Sequence, residues 1–341
     1  MAHIEKRKLG SSICKQIHDH YRIYQKNILY YQIYPKGAVV PLRVVKTAAS
    51  AIFVLLMNLI GFWMSAKYYA PTGGLPGQDQ LLTDRAVFTD AYAVIPKGTM
   101  RDIVTSFLPH WDDTRLWVIA RPMTGFAETF SQYIMEVGSG GGSDQPETDD
   151  GAEGVLFIVE GSATLSVNGD VHTLEPGGYA FLPPASGWTL RNTTDDFLRF
   201  HWIRKTYEPV VGMPYPEVII ANEKDITPTM MAGTDDKWGT TRFVEPTDLR
   251  HDMHVTIVTF EPGGVIPFLE THVMEHGLYV LEGKAAYRLN ADWVEVEAGD
   301  YMWLRAFCPQ ACYAGGPGRF RYLLYKDVNR HMGLRPLTQR S

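Results

Sequence analysis

One stretch of sequence occurs twice and decides the fold. The segment FIVEGSATLSVNGDVHTLEPGGYAFLPPASGWTLRN, residues 157–192, aligns without a gap with YVLEGKAAYRLNADWVEVEAGDYMWLRAFCPQACYA, residues 279–314, at a constant offset of 122. Nine positions are identical, and turn residues are among them. Gly161 and Gly283 each follow a strand-like run, where a tight turn favours a residue without Cβ. The repeat therefore predicts the duplication of one β-domain.

The flanking sequence supports an all-β fold. From residue 84 onwards, short runs rich in Val, Ile, Tyr, Phe and Thr alternate with Gly and Pro, and helical periodicity is scarce. Examples are LWVIARP (116–122), VLFIVEG (155–161), GLYVLEG (277–283) and RYLLYKD (321–327). Many short strands at near-regular spacing predict an antiparallel sandwich or barrel, here in two copies.

Composition excludes several classes of protein. The 341 residues are 45% hydrophobic and 21% charged, with 31 Gly and 21 Pro, which is ordinary globular usage and excludes a disordered, collagenous or coiled-coil chain. Three Cys without a CxxC pair argue against a zinc ribbon and a disulfide scaffold. A net charge of −6 gives no electrostatic argument for a nucleic-acid partner.

The N-terminal 67 residues differ from the rest of the chain. Residues 1–50 carry nine Lys or Arg and two acids, and residues 47–66 form an uncharged run of 20 residues, long enough to span a bilayer as a hydrophobic helix. Three interpretations stay open: a signal peptide, which the long basic lead disfavours, a single-pass anchor through residues 47–66, or an extension preceding a true start at Met64.

A group of possible metal ligands lies in one copy of the repeat. Glu270 and His272 are two residues apart and face the same side of a strand, and His276 follows a short turn. Gln310 lies on the strand that could return alongside them. This mixed N/O set suits Mn²⁺, Fe²⁺ or Zn²⁺. The first copy has none of the four, because the equivalent positions are Thr148, Asp150, Gly154 and Trp188.

The spacing Gly264-x5-Glu270-x-His272-x3-His276-x6-Gly283 resembles the first cupin motif, with Glu and His exchanged at two places. The second motif runs from Gly299 to Gln310, with Gln in the usual His place. Together with ETHVMEHG, LEGKAAYRL, ADWVEVEAGDY, PQ and RYLLYKDVNR, the chain resembles the (S)-ureidoglycine aminohydrolase family over roughly residues 68–332.

The resemblance implies a bicupin, two tandem double-stranded β-helix (jelly-roll) barrels. The expected domains are an extension over 1–67, a metal-free cupin over 68–210, a metal-binding cupin over 211–332 and a tail over 333–341. We expect the Trp188 ring to fill the first barrel's cavity where a ligand would otherwise stand.

The resemblance also implies an activity and a site. The family is manganese-dependent and hydrolyses (S)-ureidoglycine to (S)-ureidoglycolate and ammonia in purine (allantoin) catabolism. It assigns Mn²⁺ to Glu270, His272, His276 and Gln310, and places substrate against Tyr287, Tyr322 and Lys326, with Glu217 as an additional acidic contact. Tyr287, Tyr322 and Lys326 are also the expected catalytic groups. A homo-oligomer in the cytoplasm is expected, with membrane contact only if residues 47–66 insert.

Two other functions stay open at this stage. A bicupin could bind a small metabolite without turning it over. A cupin dioxygenase would hold Fe²⁺ and consume oxygen, although the Glu and Gln in this ligand set disfavour it. By contrast, His251 and His254, which precede a strand, are expected to be surface or core residues.

Overall fold

The computed structural model describes residues 85–327, apart from residues 98, 100–107 and 123. The hydrophobic helix expected at 47–66, the start proposed at Met64 and the tail over 333–341 therefore lie outside the described residues. Among the residues that are described, no helix is long and apolar enough to cross a membrane.

The described part of the chain is built from strands, apart from one 3-10 turn over Glu223–Asp225. The strands are β1 (Val87–Phe88), β2 (Tyr92–Ile95), β3 (Trp111–Ala120), β4 (Ser131–Ser143), β5 (Ala152–Glu160), β6 (Ala163–Val167), β7 (Asp170–Leu174), β8 (Gly178–Leu182), β9 (Trp188–Arg191), β10 (Leu198–Thr206), β11 (Ile219–Asn222), β12 (Thr229–Met230), β13 (Trp238–Arg242), β14 (His254–Phe260), β15 (Val265–Glu270), β16 (His276–Glu282), β17 (Lys284–Leu289), β18 (Asp292–Glu297), β19 (Tyr301–Leu304), β20 (Gln310–Tyr313) and β21 (Phe320–Lys326).

The strands form two antiparallel barrels, as the repeat predicts. The first uses a sheet in the order β11-β8-β5-β10-β4-β9-β6-β7, with β3 also paired to β4. The second uses the sheet β1-β2-β19-β16-β21-β14-β13-β12 and the smaller sheet β15-β20-β17-β18. Each barrel encloses its own apolar core. The all-β class and the duplication are thus both observed.

The predicted turns have the backbone geometry that their residues favour. Gly161 and Gly283 have φ values of 79° and 75°, in the region open to glycine. Asn168 and Gly169 have φ values of 52° and 91°, the two positive angles that a two-residue hairpin of this type requires. Equivalent turns therefore recur at the offset seen in the sequence.

Strands cross between the two barrels. Strand β2 precedes the first barrel in sequence, yet it pairs with β19 of the second barrel, with Tyr301 opposite Ile95. Strand β11 follows the first barrel and pairs with its β8. A third apolar core lies between the two large sheets and contains side chains of both. Because of this exchange, residues 92–95 belong structurally to the second barrel.

Candidate metal centre and substrate cavity

A cavity of about 130 Å³ opens inside the second barrel. Its walls come from β13, β14, β16 and β21 on one side and from β15 and β20 on the other. Six of the predicted site residues line it: Glu270, His272, His276, Gln310, Tyr322 and Lys326. Residues from four separate strands and one loop are thus brought to one place.

Strand pairing explains why the four predicted ligands meet. Glu270 ends β15 and lies directly opposite Gln310, which begins β20. His272 follows in the loop, where its Nε2 lies 3.3 Å from Glu270 Oε2. His276 begins β16, and its ring centroid is 4.9 Å from that of His272. The return of β20 expected from the sequence is therefore present.

His276 provides a nitrogen that no protein group uses. Its side chain is buried, and its Nε2 has no hydrogen-bond partner. Burial lowers the pKa of His276 to about 3, with further contributions from the charges of His272 and Lys326. The imidazole is therefore neutral at ordinary pH, which is the form that binds metals.

The donor set fits a divalent ion by its chemistry. Within the described residues, no three His, Cys, Asp or Glu side chains gather closely enough to enclose an ion as they stand. Glu270 Oε2 and His272 Nε2 contact each other directly, and both are atoms that a shared metal ion would bind instead. The unpartnered nitrogen of His276 and the amide oxygen of Gln310 complete a mixed N/O set.

A buried carboxylate holds the ligand-bearing turn in place. Glu275 accepts hydrogen bonds from the backbone N–H groups of Glu128 and Thr129, at 2.6 and 2.9 Å, and from the Trp303 indole at 2.5 Å. Its own N–H donates to Asp327 Oδ1 at 2.6 Å. The residue before His276 is thereby fixed to a loop that leads into the first barrel.

Two tyrosines continue the site from Gln310 through a chain of hydrogen bonds. The Tyr287 hydroxyl donates to Gln310 Oε1 at 3.3 Å and lies 3.2 Å from the Tyr322 hydroxyl. Because the proton of Tyr287 is used on Gln310, Tyr322 is the donor in the second bond. Burial raises the pKa values of both phenols, so both stay neutral donors.

Lys326 lies in the middle of the cavity wall. Strand pairing sets it opposite His276 on one side and His254 on the other. Burial lowers the pKa of Lys326, the charge of Arg242 lowers it further, and Glu270 opposes both effects.

Sequence reasoning missed four polar residues of the cavity, one of which is Thr240. The other three are Arg242, His254 and Thr256, and His254 was expected to be a surface or core residue. His254 is buried, and burial lowers its pKa to about 4. The signal was present in the strand alternation, since Trp238, Thr240 and Arg242 are spaced two apart and all face this cavity.

Glu217 is not among the residues that line the cavity. It is exposed, and its charge acts on Arg250. The structure therefore gives no contact between Glu217 and the other predicted site residues.

The matching place in the first barrel is nearly filled. The cavity there has about 30 Å³, and Trp188 and Trp202 line it. Their rings meet edge to face at 5.8 Å. A Cβ on Gly154, the counterpart of His276, would lie 3.1 Å from the Trp202 indole nitrogen. Indole rings thus take the space that the second barrel leaves open.

Comparison with known proteins confirms the two-cupin fold. Residues 124–207 match the family model described as EutQ-like cupin domain, and residues 256–325 match the one described as cupin domain. Among solved structures, a putative glyoxylate induced protein from Pseudomonas aeruginosa is 68% identical, with a TM-score of 0.73, over 80% of this chain and 100% of that one.

Two curated relatives carry one activity name. The (S)-ureidoglycine aminohydrolase of Escherichia coli (strain K12) is 30% identical over 256 residues, which cover 74% of this chain and 95% of that protein. The (S)-ureidoglycine aminohydrolase of Arabidopsis thaliana is 33% identical over 248 residues, 72% of this chain and 79% of that protein.

Proposed function

The chain belongs to the (S)-ureidoglycine aminohydrolase family, and on that premise we propose that it hydrolyses (S)-ureidoglycine to (S)-ureidoglycolate and ammonia. The observation that carries the proposal is the convergence of an acidic residue, two imidazoles and an amide in one small cavity of the second barrel. We also propose that the resident ion is Mn²⁺, that its ligands are Glu270, His272, His276 and Gln310, and that the reaction serves purine (allantoin) catabolism.

A bound divalent ion would act as a Lewis acid that orients the reacting groups of the substrate. The protein supplies the rest of the site. The hydroxyls of Tyr287 and Tyr322 stay protonated, and Tyr322, which lines the cavity and donates its proton to Tyr287, can accept a hydrogen bond from a substrate N–H. The enclosed walls strengthen these hydrogen bonds, because few waters compete for them.

Lys326 is the group we assign to proton movement. Hydrolysis breaks the bond between the α-carbon and the amine nitrogen, and the oxygen of water takes its place. The departing nitrogen must gain the proton that water loses. Lys326 lies opposite His276 in the strand pairing, and its lowered pKa makes proton exchange easier than for an exposed lysine.

The test is ammonia release by pure protein from freshly generated (S)-ureidoglycine, before and after metal removal by EDTA. We expect release that EDTA abolishes and that added Mn²⁺ restores. His272→Ala should lose most bound metal and most activity while keeping its fold, and His172→Ala, a partly buried histidine of the first barrel, should keep both. Full activity in metal-free protein would refute the metal assignment.

Other outcomes would identify the competing functions. Metal binding without ammonia release would indicate a bicupin that only binds a metabolite, and oxygen uptake with Fe²⁺ would indicate a dioxygenase. A homo-oligomer and a cytoplasmic location are proposals from the family resemblance. Light scattering tests the first, and cell fractionation separates the second from an anchor through residues 47–66.

A further inference from the structure

We propose that Arg242 binds the carboxylate of the substrate and so fixes the direction in which a small anionic substrate enters the cavity. The substrate's identity rests on the function proposed above. The location of the anion-binding group rests on the charges and unpartnered donors of the cavity wall.

The position of Arg242 suits the far end of a small substrate. Arg242 ends β13 and lies opposite Thr256 on β14. The sheet order β16-β21-β14-β13 separates it from His276 by three strand spacings, about 14 Å along the sheet. Both side chains line the same cavity, His276 from the first and Arg242 from the last strand of this four-strand row.

The charge of Arg242 has no partner of opposite sign among the described residues. Arg250, Arg319 and Arg321 of the same part of the chain each contact a carboxylate, whereas Arg242 forms no such ion pair in the described structure. Glu270 is the single acidic residue among those that line the cavity. The predicted ion would use its charge, which leaves the cavity cationic at the Arg242 end.

Unpartnered polar atoms lie beside Arg242. Thr256 Oγ1 and His254 Nε2 are buried and have no hydrogen-bond partner, and the two side chains are 4% and 2% exposed. A hydroxyl and an imidazole left unpaired in a protein interior indicate a polar ligand. A carboxylate bound by the planar fork of Arg242 would accept from the Thr256 hydroxyl as well.

This assignment divides the work of the two cations. Carboxylate binding at Arg242 places the α-carbon and its amine towards Lys326 and His276. Lys326 then acts on the reacting end of the substrate, and Arg242 acts as a binding residue that sets orientation and charge preference.

The experiment compares two stable ligands on metal-loaded protein by calorimetry. N-carbamoylglycine keeps the ureido group and the carboxylate but lacks the departing amine, and its neutral amide lacks the charge as well. We expect the unaltered protein to prefer the carboxylate. Arg242→Gln should weaken carboxylate binding about 10- to 100-fold and change amide binding little, since a charge-assisted pair is lost. Arg242→Lys should retain part of the preference.

The matched control is Arg319→Gln, which removes the same charge from an exposed ion pair with Glu282. It should leave binding of both ligands unchanged. Equal weakening of both ligands in Arg242→Gln, unchanged carboxylate binding, or no carboxylate preference in the unaltered protein would each overturn the proposal. Ammonia release is measured separately, so a missing activity with an intact carboxylate preference would refute the proposed reaction but not the role of Arg242.

Discussion

Tyr287 shows how a single buried hydroxyl organises the site. It donates to Gln310 and accepts from Tyr322, so it sets the direction of both polar groups. We expect Tyr287→Phe to lower kcat/KM about 10- to 100-fold, the effect of losing two buried hydrogen bonds, while metal content stays unchanged. Steady-state assays with metal analysis check this. Tyr279→Phe, outside the cavity, should keep full activity, and a loss of metal in Tyr287→Phe would contradict the assignment.

At the scale of residues, the sequence predicts those site residues that lie together in one local motif. The predicted ligands Glu270, His272 and His276 lie within seven residues, so their shared position follows from one strand and one turn. Arg242 and His254 belong to other strands, and only the register of β13, β14 and β21 brings them to the same cavity. No local pattern contains that register.

Among the elements, the repeated turn after β16 has the strictest requirement for glycine, at Gly283. A Cβ on Gly283 would lie 2.0 Å from the Arg319 carbonyl oxygen, and φ is already positive. Gly283→Ala should lower the free energy of unfolding by about 3 kcal/mol, from backbone strain and overpacking together. Urea denaturation measures this.

The control for this prediction is Gly263→Ala. Gly263 has nearly the same φ, 78°, but nothing lies within 4 Å of an added Cβ. It should cost about 1 to 2 kcal/mol, the backbone term alone. Equal losses in the two variants would show that the contact with Arg319 contributes nothing.

Strand identity was predictable from the sequence, but strand partnership was only partly so. The hairpin around Asn168-Gly169 follows from local residues, and the structure confirms it. The pairing of β2 with β19 joins residues 206 apart, as Ile95 and Tyr301 show. Because strands of similar apolar sequence can pair equally well, composition alone does not choose between these partners.

On the scale of the whole molecule, His201 makes the contact between barrels sensitive to acid. It lies on β10 of the first barrel, and its ring centroid is 4.2 Å from that of Tyr279 on β16 of the second. Burial lowers the pKa of His201 to about 3, against about 6.5 in an unfolded chain. Between these values the unfolded chain binds a proton that the folded protein does not, so stability falls as pH falls.

We expect His201→Gln to flatten this dependence. Between pH 6 and 4 the slope of unfolding free energy against pH should drop by about 1.4 kcal/mol per pH unit, the value for one proton. Denaturation at several pH values gives the slope independently of the variant's overall stability. An unchanged slope would show that His201 takes up its proton equally in both states.

The crossed strand β2 also constrains how the protein is made. During synthesis at about 5 to 20 residues per second, β19 leaves the ribosome about 10 to 40 s after β2, because 206 residues separate their paired positions. Throughout that interval β2 has no β19 edge to pair with, although all four of its side chains are buried in the finished protein. The growing chain must therefore keep an apolar segment from aggregating until its last barrel closes. A gene cut between the two barrels would leave that segment on the first half, without the strand that it pairs with.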